Sequence, residues 1–274
     1  MAKIIIVNHP DQEPSYLNKT LFAVNPILWN CTQRHKRKFI LRDGLYLDRS
    51  NNLVHDELYF WGEYEPYSNA IIINSVSPQA IHRDLLPVME LLPMPQGKHI
   101  NTDPYVYGCF RNICCGRRRE KEYSNGDIII FGKVIDNKVA IDTVLVVDKA
   151  IPVSDLSQTS QYYLAAAQRI FGNKFNNLIE GKMYTPMLTT SFSFVPCLPK
   201  EKINGNCINL HSIAATQYKK PILQLNTLGI PICFDARGRG TAIIPSNFYN
   251  NIWDAIISAV HKADLELGVY IQPV

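Results

Sequence analysis

The chain has 274 residues, 46 % of them apolar and 19 % charged, with a formal net charge of +4. That length suffices for one large domain or two small ones with a sizeable core, and the composition is that of an ordinary folded protein. So small a positive excess does not mark a nucleic-acid binder, and only local clustering of Lys and Arg argues for one.

The first apolar run, Lys3–Asn8 (KIIIVN), reads as a buried strand and is too short for a signal peptide. No stretch approaches the roughly 18–20 apolar residues of a membrane span, so neither export nor membrane insertion is expected. The seven cysteines are odd in number and lack framework spacing, which suits reduced thiols in a cytoplasmic setting. Cys31, Cys197, Cys207 and Cys233 read as small core residues.

Phe39–Leu41, the Asp43-Gly44 pair and Leu45–Leu47 predict strand, turn and strand. Leu58–Trp61 and Ala70–Asn74 predict two further strands, and prolines at 78, 87, 93, 95 and 104 leave room for one helix near Gln79–Glu90. Ile128–Val134 and Lys138–Lys149 form the clearest strand pair, joined at Asp136 and Asn137, and neither alternates, so both faces should be covered. Leu156–Phe171 predicts a helix that stops at Gly172. Phe192–Val195 and Ile230–Phe234 predict short strands. Asn247–Lys262 predicts a second helix, capped by Ser246, with Ile252, Ala255, Ile256, Ala259 and Val260 as its apolar stripe. Leu267–Ile271 predicts a last strand. No linker or repeat divides the chain, so a single α+β unit is the economical expectation.

The chemistry-bearing stretch is Asn101–Phe131, NTDPYVYGCFRNICCGRRREKEYSNGDIIIF. Cys109, Cys114 and Cys115 lack the second pair that a zinc site needs, and no metal is expected there. Either Cys109 or Cys114 could instead be a nucleophilic thiol, because neighbouring cations depress a thiol pKa; a buried thiol beside a solvated basic turn is the alternative. Arg111, Arg117, Arg118, Arg119 and Lys121 form one basic cluster, and Arg34, His35, Lys36, Arg37, Lys38 and Arg42 a second. Guanidinium groups grip phosphate through paired donors. Aromatics interleave with both clusters, as base and phosphate recognition requires, although a solvated face with snorkelling stems reads the same way. In His55–Ser68 (HDELYFWGEYEPYS), Glu63 and Glu65 lie near Trp61, where an aromatic wall could raise a carboxyl pKa for acid or base work. Exposed strand glutamates are the alternative. Asp235–Thr241 (DARGRGT) lacks a full phosphate-loop pattern, and no G-x-S-x-G, H-E-x-x-H or dinucleotide fingerprint is present.

The order Asp103-Pro104, Cys109 and Cys114, Arg117 to Arg119, then Gly126-Asp127 running through Gly132, resembles the nucleotide-modification-associated (Nmad) domains. The Gly-Asp-aliphatic strand is also similar to PUA-like barrels of the EVE and ASCH kind, which hold modified bases in a cleft. The resemblance covers about a sixth of the chain, and Cys115-Gly116 departs from the pattern where Lys-Pro often follows. It implies a mixed sheet or PUA-like partial barrel with flanking helices. It also implies processing or recognition of modified nucleotides, in systems directed at phage or mobile DNA. The expected substrate-binding residues are Arg34, His35, Arg37, Asn101, Thr102, Asp103, Arg117, Arg118 and Arg119. The expected catalytic candidates are Glu63, Glu65, Asp127, Cys109 and Cys114. Asp127 has a structural reading as well, as a turn carboxylate binding backbone amides. A nucleotide or nucleic acid is the expected partner, whether the chain is an enzyme or a binding module that performs no chemistry. A subunit whose basic loops meet an acidic protein is the third reading. No cofactor or oligomeric state is legible.

Overall fold

Three consecutive isoleucines can be buried together only if both faces of their strand are covered. In the computed structural model of the chain, β1 (Ile4–Asn8) meets that condition: Ile4, Ile5 and Ile6 are all buried. The structure describes residues 2–8, 36–64, 70–72, 80–83, 107–109, 123–135, 138–152, 154–155, 182–187, 191–204, 217–229, 240–244 and 246–271.

β1 lies parallel to β7 (Ile128–Ile135) and antiparallel to β12 (Gly240–Ile244). β7 pairs in turn with β8 (Lys138–Pro152), then come β9 (Lys182–Pro186) and β6 (Tyr107–Cys109), while β11 (Ile222–Gln224) joins β8. The result is a mixed seven-stranded sheet. Its alternating side chains feed two cores. Ile4, Ile6, Ile128, Ile130, Val144 and Val146 enter the large one, and Ile5, Val7, Ile129, Phe131, Leu145 and Val147 a second on the other face. The expected hairpin of β7 and β8 is present, with Ile135 opposite Lys138; Asp136 and Asn137 lie outside the described residues.

The second sheet is built on two 12-residue strands, β2 (Lys36–Leu47) and β3 (Leu53–Tyr64), paired along their whole length. β3 pairs with β10 (Val195–Pro199), β10 with β13 (Glu266–Ile271), and β13 returns to β2, which closes a four-stranded barrel. Side chains fill this barrel: Tyr46, Leu58, Phe60, Val195 and Cys197 form one buried cluster inside it. Gly268 is tightly packed there: a Cβ at that position would lie 3.0 Å from Val195 Cγ2, 3.1 Å from the Val195 carbonyl oxygen and 3.2 Å from Cys197 Sγ. Beyond the barrel, β2 continues to β5 (Ala80–Arg83), parallel to it, and then to β4 (Ala70–Ile72).

Two sequence expectations fail in this sheet. Asp43-Gly44 makes no turn; both residues sit within β2, opposite Glu57 and Asp56. The chain reverses instead at Asp48–Asn52, where Asn51 adopts φ 61° and the Asp48 carboxylate accepts from the Ser50 and Asn52 amides, each at 2.8 Å. Residues 80–83 of the expected helix Gln79–Glu90 are strand, because pairing with β2 and β4 outweighs local helix propensity. The expected helix Leu156–Phe171 and strand Ile230–Phe234 lie outside the described residues.

The helix near the C-terminal end is present as α1 (Tyr249–Lys262), after one 3-10 turn at Ser246–Phe248. Its stripe packs as expected, with Ile252, Ile256, Ala259 and Val260 buried in the large core. Ser246 is not its cap: the extra 3-10 turn moves the N-cap to Phe248, which offers no side-chain acceptor. Among the described residues the fold is therefore mostly sheet with this one α-helix, and none of it is a helix long and apolar enough to cross a membrane.

Candidate functional site

The barrel holds the buried cluster of Tyr46, Leu58, Phe60, Val195 and Cys197, and the cleft lies beside it. A cleft of about 570 Å³ opens between α1, the Asp48–Asn52 turn and the segment before β10. Two helix stripes line it at i, i+4, i+8 spacing: Trp253, Ile257 and His261, and beside them Asp254, Ser258 and Lys262. Phe192, Leu267 and Asn51 face them. Trp253 meets Phe192 edge to face at 5.7 Å between ring centroids and Phe194 at 6.1 Å, so the aromatic wall is anchored on a fully buried ring. His261 Nε2 is buried without a hydrogen-bond partner among the described residues. Asp254 and Lys262 are exposed and form no ion pair there. The cleft volume falls within the roughly 300–1,000 Å³ of small-molecule sites.

Two charged groups are buried elsewhere. Lys220 Nζ lies 2.6 Å from Asp142 Oδ1, with side chains 6 % and 0 % exposed. Asp142 is the extra residue of a β-bulge, where Phe131 pairs with Thr143 but Gly132 already pairs with Ile141. Gly132 permits the close approach: a Cβ there would lie 2.1 Å from the Ala140 carbonyl oxygen.

The second group is Glu266, opposite Cys197 in the barrel register and 1 % exposed. Its Oε1 accepts from Lys202 Nζ at 2.5 Å, and Oε2 is buried without a partner among the described residues. Tyr46 donates to Glu201, and burial, with that carboxylate beside it, pushes the phenol well up. Burial likewise pushes the Cys197 thiol well up, and Glu266 adds to the effect. Cys197 is thus the inert core thiol expected of it.

Asp127 is fully buried, at a turn where Gly126 adopts φ 83°. Its Oδ1 accepts from the Lys3 amide at 2.7 Å and its Oδ2 from the Ser124 amide at 2.8 Å. The carboxylate therefore ties β1 to the start of β7, which matches its structural reading. Glu63 lies in β3 directly opposite Arg37 in β2, so the register brings one expected catalytic residue to one expected binding residue. Cys109 ends β6, opposite Lys182 of β9, in the other sheet. Glu65, Cys114, Arg34, His35, Asn101, Thr102, Asp103, Arg117, Arg118 and Arg119 lie outside the described residues. Among the described residues no three His, Cys, Asp or Glu side chains are placed to hold a metal ion.

Phe192, Trp253 and His261 were not singled out from sequence. The available signal was the shoulder of the helix stripe, where Trp253 and Ile257 each follow a buried isoleucine by one position and widen the apolar face. In comparison with known proteins, no family model, no curated protein and no solved structure matches this chain.

Proposed function

We propose that the protein recognises and processes a nucleotide or a nucleic-acid base. The observation that carries this reading is a ligand-sized cleft with a Phe192–Trp253 aromatic wall, set outside a small barrel whose interior is filled. The concentrated basic clusters supply phosphate contacts, and the resemblance to Nmad domains and PUA-like barrels points to modified bases as the ligand class. Glu63, opposite Arg37, lies at the far end of β3 from the Asn51 turn, roughly 35 Å at about 3.3 Å per residue, so any acid–base role it has is at the basic cluster and not on a base held in the cleft.

A second reading is a binding module without chemistry. Asp127 favours it, because both of its carboxylate oxygens are engaged by backbone amides and are withdrawn from proton transfer.

Binding of labelled single-stranded oligonucleotides and of nucleotides, measured across a salt series, tests the common core of both readings. Phosphate-driven binding weakens steeply as salt rises. No binding to any of these ligands overturns the proposal. Where binding is found, a turnover assay on the parent protein separates the two readings: chemical change of the bound ligand supports processing, and its absence supports recognition alone.

A further inference from the structure

The charge distribution of the cleft is unlike that of a phosphate site. Phosphate sites gather cations, amide nests or helix N-termini. Here the cleft runs along α1 from Trp253 to Lys262, so only its His261–Lys262 end meets the negative pole of the helix dipole, and its Asp254 carboxylate balances its single Lys262 ammonium. Asp254 and Lys262 stand two turns apart, about 12 Å along the axis. Between them lie the Ser258 hydroxyl and the aromatic and aliphatic side chains of Trp253 and Ile257. A flat ring system fits the apolar wall. Its donors can meet Asp254 and Ser258, and its acceptors can meet Ser258 and Lys262. An additional phosphate would face the Asp254 carboxylate, with Lys262 as the one cation lining the cleft; the nearby Arg49 already donates to the His261 carbonyl at 3.2 Å and pairs with Asp264 at 2.6 Å.

We infer that this cleft takes a single uncharged planar heterocycle, the base of a nucleoside or of one unpaired nucleotide, and leaves any attached phosphate outside in solvent. The inference rests on the nucleotide reading for the identity of the heterocycle. It divides recognition into a charge-neutral base contact and a separate anionic contact. The base contact is insensitive to salt, and the anionic contact is not.

Calorimetric titration of the full chain compares the four common nucleosides, their 5′-monophosphates, short single-stranded DNA and inorganic phosphate, at low and high salt. At least one nucleoside is expected to bind with an affinity that salt leaves unchanged, and its monophosphate is expected to bind no more tightly at high salt. Stacking on an aromatic is sequence-tolerant and strong, so Trp253→Ala should weaken the nucleoside by roughly tenfold or more, and Trp253→Phe should restore most of the loss. Asp254→Asn, an exposed and isosteric change, should alter the preference among bases without unfolding the chain. Nucleoside binding without oligonucleotide binding identifies a free nucleoside as the ligand, and the reverse order identifies an unpaired nucleotide within a strand. Oligonucleotide binding that survives both Trp253→Ala and Asp254→Asn unchanged overturns the inference while leaving the nucleotide reading intact. Binding of inorganic phosphate that Lys262→Ala abolishes overturns it too. Absence of binding by every ligand removes both.

Discussion

The buried pair of Lys220 and Asp142 offers a direct test of how the mixed sheet is held. Lys220→Met removes the ammonium and leaves the carboxylate, 0 % exposed and formerly 2.6 Å from its partner, buried at the β8 bulge. Breaking a buried pair from one side costs about 3–5 kcal/mol, because the remaining charge keeps its desolvation penalty and loses the Lys220 contact. With a urea m-value of about 3 kcal/mol/M, the unfolding midpoint should fall by roughly 1–1.7 M. Replacing both partners, Lys220→Met with Asp142→Leu, removes the buried carboxylate as well and should recover most of that loss. Equilibrium urea unfolding followed by circular dichroism reads each midpoint. A loss below about 1 kcal/mol for the single variant, the range of exposed pairs, would refute the reasoning, since it would mean that water reaches the bulge.

Four further outcomes follow from the geometry. Gly268→Ala should destabilise the barrel by about 1–3 kcal/mol through contact with Val195 and Cys197, and adding Cys197→Ala should return part of it, which a thermal-melt double-mutant cycle measures. Because burial raises the Cys197 pKa, the thiolate is scarce in the folded state even as pH rises through the ordinary thiol range; peptide mapping after alkylation should find this residue modified only in denaturant. The Asp48 carboxyl is held below its ordinary value of 3.8, first by the Asn52 side chain and then by the Asn52 amide. Its contribution to the turn is accordingly complete above that value and disappears as pH falls through the lower folded pKa; an NMR carboxylate titration should place the midpoint below 3.8, and Asp48→Asn should abolish this part of the acid response. Asp127→Ala should cost about 2–3 kcal/mol by freeing the Lys3 and Ser124 amides while leaving ligand affinity unchanged in the folded protein, and a loss of affinity without loss of stability would return Asp127 to the site.

The sequence made the central strands legible because KIIIVN and IIIFG have no polar face to expose, and burial on both sides is the only outcome for such runs. The stripe of α1 was legible for the same reason in helical period. Barrel closure was not, because it depends on β13 pairing with both β10 and β2, across a register shift between Gly268 and Tyr270 that no local signal announces. The reversal at Asp48–Asn52 was hidden by the stronger turn signal of Asp43-Gly44, four residues upstream, which strand pairing overrides. Asp127 was open to a catalytic and a structural reading from sequence, and the direction of its two oxygens toward the Lys3 and Ser124 amides depends on how β1 docks against β7. The cleft joins Asn51, Phe192 and the far end of α1, residues brought together by tertiary packing and carrying no spacing that a motif search would register.

The β2–β3 ribbon belongs to two structures at once. Its Leu45–Leu47 end is locked into a closed ring by β13, and its Phe39–Leu41 end carries the open flank of β5 and β4. A ring cannot lose one seam without loosening its neighbours, so whatever force bears on the flank is felt as torsion in the closed part. Amide exchange at the two ends of β2 should therefore slow and quicken in step, as a stiff shared beam would dictate, instead of fraying from the open side inward.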